Sequence, residues 1–128
     1  MYVVDTDVSI EYLKGNPSAI ELLESLDDLH LTAITVAELF YGAYNSKKAT
    51  KNMPALFNYI QKFSSLTIQL WDAIRFGKLK AELRRKGTLI GDADIINASI
   101  ALSYGFTMIT RNVKDYERIK GVKILKLH

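Results

Sequence analysis

The chain has 128 residues, of which 48% are hydrophobic, and it contains no cysteine. A single domain over residues 1–128 is expected, because domains most often hold roughly 100–150 residues. The lack of cysteine excludes disulfide bonds and thiolate metal sites. No cationic start precedes an apolar segment, and no apolar run approaches the roughly 18 residues that cross a bilayer. We therefore expect a cytoplasmic protein that is not associated with a membrane.

Charge is unevenly distributed along the chain, although the net charge is only +3. Residues 1–46 contain one basic and eight acidic residues, a balance of −7. Residues 47–128 contain 16 basic and six acidic residues, a balance of +10. An acidic first third joined to a basic remainder suits an acidic site that a polyanion approaches. Ordinary solvated helix faces produce the same counts, so charge alone does not decide.

The first half of the chain predicts two strands and three helices. A short β-prone run occupies residues 2–4. Apolar residues recur at helical spacing after Pro17, and another helical pattern opens at Thr35. Residues 52–64 show a further amphipathic pattern, and the β-branched residues at 66–68 predict the second strand.

The second half predicts two helices followed by two strands. Residues 72–86 have helical periodicity, and residues 93–104 are apolar on nearly all sides, which predicts a buried helix with Gly105 as its C-terminal cap. Apolar runs at 106–109 and 122–125 complete the set. Short apolar strands that alternate with helices indicate an α/β fold, with a parallel sheet covered on both faces.

Acidic residues fall where a parallel sheet would gather ligands. Asp5 follows the first predicted strand directly, with Thr6 beside it, and open parallel sheets bind ligands beyond the carboxyl ends of their strands. Asp5 is also a good N-cap for the next helix. Glu38 has two interpretations as well. It lies in an apolar segment, where we expect it to face a crowded interior, and it follows Thr35 at the spacing of a capping box.

Further acidic positions flank the predicted buried helix. Asp92 and Asp94 stand at its start, where acids also favour the helix dipole. Asp115 follows the next strand, beyond Thr110 and Asn112, either of which can cap a short helical turn. Each acid has a local explanation, but the fold would bring several of them to one edge of the sheet.

Carboxylates forced together repel one another, and a hard divalent cation relieves that repulsion. Mg²⁺ or Mn²⁺ is the natural choice for a set of oxygen ligands. The only histidines are His30 and His128, so the chain has no zinc ligand set and no histidine partner for serine-type catalysis.

Four segments of the chain form a recognisable series. They are VVDTD (residues 3–7), TVAELFYGA (35–43), GDADII (91–96) and TRNVKDY (110–116). In this order, and over nearly the whole chain, they resemble the PIN-domain ribonucleases, most closely the VapC-type toxins of bacterial and archaeal toxin–antitoxin pairs. The resemblance implies a three-layer α/β/α fold around a central, mostly parallel sheet, with an acidic pocket that binds Mg²⁺ or Mn²⁺.

The resemblance also implies the site residues. Asp5, Glu38 and Asp94 match the family's acidic positions, as catalytic residues and metal ligands. Many members carry the fourth acid where this chain has Asn112, and others carry it three residues later, which selects Asp115 here. Four further residues are auxiliary positions of the site: Asp92, Thr6, Thr110 and Asn112.

Two residues depart from the family pattern. Asp7 stands where many members have asparagine, and Asn97 stands where an apolar residue is usual. Asn97 lies one turn beyond Asp94, so we expect a hydrogen bond that orients the Asp94 carboxylate.

The implied activity is metal-assisted hydrolysis of RNA phosphodiester bonds by an endoribonuclease that acts as the toxin of a type II pair. Arg111 and Lys114 are the expected substrate contacts, whereas the basic residues of the helix at 72–86 are expected to form a solvated face. The expected partners are RNA (tRNA, mRNA or rRNA), a cognate antitoxin held in a groove of the early helices, and a second copy of the chain in a homodimer or a larger assembly with antitoxin.

Two other functions remain compatible with the sequence. Asp5-Thr6-Asp7-Val8 fits the start of haloacid-dehalogenase-type phosphatases, in which Asp5 would be a phosphorylated nucleophile. The chain is short for that fold, which also gives no reason for Glu38. A PIN-like module that binds RNA or protein through a degraded site is the second alternative, because Asn112 occupies an acidic position.

Overall fold

The computed structural model describes every residue from Met1 to His128. Its elements in chain order are β1 (Tyr2–Val4), α1 (Thr6–Leu13), α2 (Pro17–Glu24), β2 (Leu29–Thr32), α3 (Ala33–Tyr44), α4 (Ala49–Ile60), β3 (Ser64–Leu66), α5 (Leu70–Arg85), α6 (Asp92–Tyr104), β4 (Thr107–Thr110), α7 (Val113–Tyr116) and β5 (Lys123–Lys126). No helix combines the length and the apolar composition needed to cross a membrane.

The five strands form one sheet in the order β3-β2-β1-β4-β5, and every neighbouring pair is parallel. Tyr2 of β1 lies opposite Leu29 in β2 and Thr107 in β4. Parallel neighbours need crossover connections, and helices supply the crossover in every case. The predicted α/β fold is confirmed.

Helices cover both faces of the sheet because successive strand residues point to opposite sides. Val3 and Met108 are fully buried in a core that includes residues of α5 and α6. Val4 and Ile109, their neighbours in the chain, are fully buried in a second core that includes residues of α1 to α4. This alternation gives the three layers implied by the family resemblance.

The central position of β1 creates the crevice in which ligands bind in open α/β sheets. Strands β2 and β3 extend the sheet on one side of β1, whereas β4 and β5 extend it on the other. Such a reversal of strand order is the topological switch point of the sheet. Asp5 follows β1 and Thr110 ends β4, so both residues lie at this crevice.

Helix α6 has the buried character that its sequence predicts. Ile95, Ala98 and Ile100 have no exposed surface. The helix ends at Gly105, whose φ of 69° lies in the left-handed region, where glycine is the usual residue after a helix.

Two strands differ from the prediction. Strand β2 was not predicted at all, because its four residues, Leu29–Thr32, are too few for a sequence pattern to stand out. Strand β3 occupies Ser64–Leu66 rather than residues 66–68, because His30 of β2 pairs with Ser64 and fixes the register there. Pairing in the sheet, rather than β-propensity, selects both segments.

Helix boundaries also move. Helix α3 begins at Ala33 with Thr32 as its N-cap, so the predicted start at Thr35 is wrong. Helix α4 runs from Ala49 to Ile60 rather than over 52–64. Helix α5 begins at Leu70, and Ile74, which was expected to face inward, is exposed.

Candidate active site

Asp5 is the most buried carboxylate at the switch point, and only 4% of its surface is exposed. Its Oδ1 accepts a hydrogen bond from the backbone N–H of Thr6 at 2.9 Å, so the N-cap interpretation is confirmed. Its Oδ2 accepts a second hydrogen bond from the Thr110 hydroxyl at 2.8 Å. Capping alone requires one oxygen, whereas both oxygens are held here.

The acidic surroundings make ionisation of Asp5 unfavourable. Burial, then the nearby charge of Asp7, and to a smaller extent the charge of Asp94, raise the pKa of Asp5 from its ordinary 3.8 to about 7. The hydrogen bonds from Thr110 and Thr6 act in the opposite direction. A carboxylate with so strongly raised a pKa in a crevice is typical of a functional site.

Asp94 lies in the first turn of α6, within electrostatic range of Asp5. The Tyr116 hydroxyl donates a hydrogen bond to its Oδ1 at 3.3 Å. Burial raises the pKa of Asp94, and the charges of Asp115, Glu38 and Asp7 raise it further. The fold therefore brings carboxylates from four separate segments of the chain within electrostatic range of one another.

Glu38 does not occupy the position that the capping-box spacing predicts. Thr32, not Thr35, caps α3, and its hydroxyl accepts the hydrogen bond from the Thr35 backbone N–H at 3.1 Å. The Glu38 side chain is exposed rather than packed into the interior. Its Oε1 accepts a hydrogen bond from the Thr6 hydroxyl at 2.7 Å, which directs it towards the start of α1 beside Asp5.

A buried network of polar side chains connects Glu38, through Thr6, to the start of α3 and to α6. The Thr32 hydroxyl donates to Oδ1 of Asn97 at 2.6 Å, and the Asn97 amide donates to Oγ1 of Thr35 at 3.4 Å. Oγ1 of Thr35 lies 3.1 Å from Oγ1 of Thr6. The Thr6 hydroxyl donates its proton to Glu38. The expectation that Asn97 orients Asp94 is wrong: Asn97 instead joins α6 to the start of α3, because its side chain points towards β2.

Asn112 and Asp115, the two candidates for the fourth acidic position, are joined by a hydrogen bond. Asn112 donates from its side-chain amide to Oδ2 of Asp115 at 2.8 Å, and Arg118 lies 3.7 Å from Oδ1. The backbone N–H of Asn112 donates to Oγ1 of Thr110 at 2.9 Å. Asn112 therefore aligns Asp115, whose charge reaches Asp94.

Asp92 is directed away from this group. It is exposed, and its Oδ1 forms an ion pair of 2.9 Å with Nζ of Lys80 in α5. Of the two acids in the first turn of α6, only Asp94 therefore faces the other carboxylates.

Two residues that the sequence did not single out as site members lie at its centre. Oδ2 of Asp7 accepts a hydrogen bond from the Arg111 backbone N–H at 3.1 Å, whereas its Oδ1 is buried without a partner. Burial raises the pKa of Asp7. Tyr116 is fully buried against Asp94. Its sequence signal was only a single aromatic residue at the end of the polar segment TRNVKDY (110–116).

The two expected substrate cations differ in their surroundings. The Arg111 guanidinium pairs with Oε1 of Glu11 at 2.7 Å. Lys114 is exposed and takes part in none of the ion pairs of the structure. Lys114 is therefore the cation that can meet a phosphate without first leaving a carboxylate.

The oxygen donors of the acidic residues fit a hard divalent cation that binds few carboxylates and keeps several waters. No three acidic or histidine side chains converge into a ready-made ligand set, so the acidic pocket that the resemblance implies for Asp5, Glu38 and Asp94 is not a preformed cage of three carboxylates. Mg²⁺ commonly binds through one or two carboxylates and retains several waters. Asp5 and Asp94, with the unpartnered Oδ1 of Asp7 nearby, provide oxygen donors for such a water-rich site.

An apolar groove of about 450 Å³ runs beside the acidic residues. Its walls include Ile10 and Leu13 of α1, Leu39 of α3 and Leu56 of α4. Glu38 also lines the groove, so the groove reaches the edge of the cluster of acidic residues.

Comparison with known sequences places these features in a family. The model of the PIN domain matches residues 2–122. Ribonuclease VapC2 of Haemophilus influenzae is 34% identical over 126 residues, covering 95% of this chain and 94% of the relative. The tRNA(fMet)-specific endonuclease VapC of Salmonella typhimurium is 33% identical over 125 residues, covering 96% of this chain and 95% of the relative.

Solved structures agree with the sequence comparison. The DNA-bound VapBC of Salmonella typhimurium superimposes with a TM-score of 0.92 at 32% identity, covering 99% of this chain and 98% of that one. VapBC2 of Rickettsia felis, bound to a DNA fragment from its promoter, gives a TM-score of 0.90 at 27% identity, with the same coverage of 99% and 98%. The chain therefore belongs to the PIN-domain family, and within it to the group of the VapC proteins.

Proposed function

We propose that the chain is a metal-dependent endoribonuclease that acts in the cytoplasm as the toxin of a type II toxin–antitoxin pair. The observation that carries this proposal is the proximity of Asp5 and Asp94 at the switch point of the sheet, where burial and the charges of neighbouring carboxylates raise the pKa values of both residues. Such repulsion is what a bound cation relieves. The VapC relatives are named as a ribonuclease and a tRNA-specific endonuclease, which supports RNA cleavage as the reaction.

Asp5 and Asp94 are the proposed direct ligands of Mg²⁺ or Mn²⁺, with Glu38 and Asp115 as further ligands or as acceptors for metal-bound water. A bound divalent ion would lower the pKa of a water molecule and neutralise charge on the scissile phosphate. Thr110 orients Asp5 through its hydrogen bond of 2.8 Å. Asn112 orients Asp115 through its bond of 2.8 Å, and Thr6 orients Glu38 through its bond of 2.7 Å.

The proposed substrate is RNA, held by phosphate contacts to Lys114 and Arg111. An acidic centre repels a polyanion, so cations at its rim supply the affinity. One relative is named as a tRNA(fMet)-specific endonuclease, which makes transfer RNA the first substrate to test, ahead of messenger or ribosomal RNA.

The proposed protein partner is an antitoxin that lays an apolar segment in the groove between α1, α3 and α4. Glu38 at the groove wall suits a segment that ends in a basic side chain, since opposite charges at the end of an apolar groove fix its register. The solved relatives are VapBC complexes, and this supports a partner of the VapB type.

A homodimer is proposed through the first turns of α5. Leu70, Trp71 and Ile74 are exposed there, and contiguous exposed apolar residues mark interaction surfaces. Light scattering of the purified protein is expected to give the mass of a dimer, and Trp71→Ala is expected to shift the equilibrium towards monomer. A wild-type protein that is monomeric at all concentrations would exclude this interface.

The activity is tested by incubating the purified protein with total cellular RNA in Mg²⁺, in Mn²⁺ and in EDTA, and by mapping the cut ends. We expect cleavage only with metal, leaving 5′-phosphate and 3′-hydroxyl ends. Asp5→Asn is expected to reduce the rate by more than the roughly 10–100-fold cost of losing an outer-shell partner.

Asp27→Asn is the matched control, because Asp27 is exposed and precedes β2 at the opposite end of the sheet. The Asp27→Asn variant makes the same change from carboxylate to amide far from the acidic residues of the site. It is expected to retain full activity. Equal cleavage by wild type and Asp5→Asn, or cleavage that persists in EDTA, would refute the proposal.

The two alternatives lose support. The phosphatase alternative gives no reason for the charges of Glu38 and Asp115 beside Asp94. The chain also belongs to the PIN-domain family. The degraded-site alternative rested on Asn112, but this residue aligns Asp115, so the chain retains an acid for that position.

A further inference from the structure

Tyr116 is a buried polar residue that the proposed reaction has not yet used. Its side chain lies in the core beneath α6 and has no exposed surface. Its hydroxyl donates to Oδ1 of Asp94 at 3.3 Å. Burial raises the pKa of Tyr116, and the nearby charges of Asp5 and Asp94 raise it further. The phenol is therefore a neutral donor to Asp94 that lies within electrostatic range of Asp5.

Packing alone does not account for this hydroxyl. The ring of Tyr116 fills the core cluster around Ile95 and Met108, and phenylalanine would fill the same volume. A buried hydroxyl costs free energy unless it makes a hydrogen bond. The carboxylate of Asp94 is the partner to which it donates, so the placement of the hydroxyl is tied to the acidic site rather than to the core.

We propose that Tyr116 is a positioning residue of the metal site, which fixes the Asp94 carboxylate by donating to its Oδ1. This inference rests on the proposed function of the site. By holding one oxygen of Asp94, the phenol leaves the other oxygen free to bind a cation in a defined orientation. Its neutral O–H group satisfies one oxygen of Asp94 without adding a positive charge that would compete with the ion. Outer-shell donors of this kind typically change metal affinity by about 10- to 100-fold.

The test is titration of the full-length protein with MnCl₂ alone, followed by calorimetry, in wild type and Tyr116→Phe. We expect the Kd for Mn²⁺ to rise by about 10-fold or more in the variant. In RNA cleavage at saturating Mn²⁺, kcat is expected to fall while KM for RNA stays unchanged, because the phosphate contacts are untouched. Unfolding midpoints in EDTA, measured by circular dichroism, establish that both proteins are folded.

Tyr59→Phe is the matched control. Tyr59 is also a buried tyrosine, and its hydroxyl donates to Ser9 at 2.7 Å, but it contacts no carboxylate. We expect its Kd for Mn²⁺ to equal that of wild type. If Tyr116→Phe binds Mn²⁺ as tightly as wild type, the positioning role is refuted while the ribonuclease proposal stands. If wild type itself binds no Mn²⁺ and cleaves RNA in EDTA, both proposals fail.

Discussion

The hydroxyl of Thr110 donates a hydrogen bond of 2.8 Å to Oδ2 of Asp5, a residue 105 positions earlier in the chain. Oγ1 of Thr110 in turn accepts a hydrogen bond from the backbone N–H of Asn112 at 2.9 Å. One buried side chain at the end of β4 thus connects the carboxylate after β1 to the turn that begins α7. Parallel pairing of β1 with β4 is the reason that these distant residues meet.

We expect Thr110→Val to weaken both the fold and the metal site. The substitution keeps the shape of the side chain and removes its hydroxyl, so the metal-free protein should lose about 1.5–3 kcal/mol, the usual value of a hydrogen bond to a charged group. Thr110→Ser keeps the hydroxyl and is the control. Urea unfolding in EDTA measures the first effect, and the Kd for Mn²⁺ measures the second. Identical values for the valine and serine variants would show that the hydrogen bond contributes nothing.

The pH dependence of stability follows from the raised pKa values of Asp5, Asp7 and Asp94. A carboxyl group whose pKa is higher in the folded than in the unfolded state binds its proton more tightly when folded. Its ionisation therefore opposes folding, and stability falls as the pH rises from the unfolded to the folded pKa. For Asp5 this window extends from 3.8 to about 7. In EDTA, the free energy of unfolding is expected to be lower at pH 8 than at pH 5.

Asp5→Asn tests the origin of this effect, because asparagine cannot ionise. The variant is expected to show a smaller loss of stability between pH 5 and pH 8 than wild type. Addition of Mn²⁺ at pH 8 should stabilise wild type, since any ligand that binds only the folded state does so by mass action. A wild-type protein that becomes steadily more stable up to pH 8 in EDTA would contradict the proposed repulsion.

Most of the candidate site could be predicted because its residues follow strands or begin helices. The apolar run before Asp5 marks the end of β1, and the apolar α6 marks the position of Asp94 at its start. Parallel strands then bring both positions to one edge of the sheet. The resemblance to the PIN domain rests on these same segments, which explains why the fold and the acidic residues were identified together.

Other features could not be predicted because they depend on contacts between distant segments. Thr32 and Thr35 both have the local chemistry of an N-cap, and the end of β2 decides in favour of Thr32. Strand β2 has only four residues and is selected by pairing with β1 and β3. The contact between the Tyr116 hydroxyl and Asp94 could not be predicted either. Helix α7 has only four residues, too few for a periodic pattern to show which side of Tyr116 is buried.

The Thr6 hydroxyl is expected to determine the orientation of Glu38. It is the donor that links Glu38 to the buried network of Thr35 and Asn97. Thr6→Val should therefore lower kcat for RNA cleavage, whereas Thr6→Ser should retain it, because serine keeps the donor. Glu38 is exposed, so the stability of the valine variant should change by only about 0.5–1.5 kcal/mol, the net value of an ordinary hydrogen bond. Equal kcat values in the two variants would indicate that Glu38 needs no such support.

Lys114 is expected to contribute more to RNA affinity than Arg111. Arg111 already pairs with Glu11 at 2.7 Å, so its charge is partly neutralised before RNA arrives, whereas Lys114 makes no ion pair. In the Asp5→Asn background, which prevents cleavage, Lys114→Ala should weaken binding of a labelled RNA and reduce the slope of log K against log salt by about 0.7. Fluorescence anisotropy over a salt series measures both quantities.

Glu11→Gln provides the complementary experiment for the Arg111 ion pair. Removing the carboxylate charge releases the guanidinium for a phosphate, so RNA binding is expected to tighten and its salt dependence to become steeper. The double variant Glu11→Gln, Arg111→Ala should lose that gain, because the gain requires the arginine. If Glu11→Gln instead weakens RNA binding, the ion pair holds Arg111 in its binding position rather than competing with the substrate, and Arg111 rather than Lys114 becomes the principal phosphate contact.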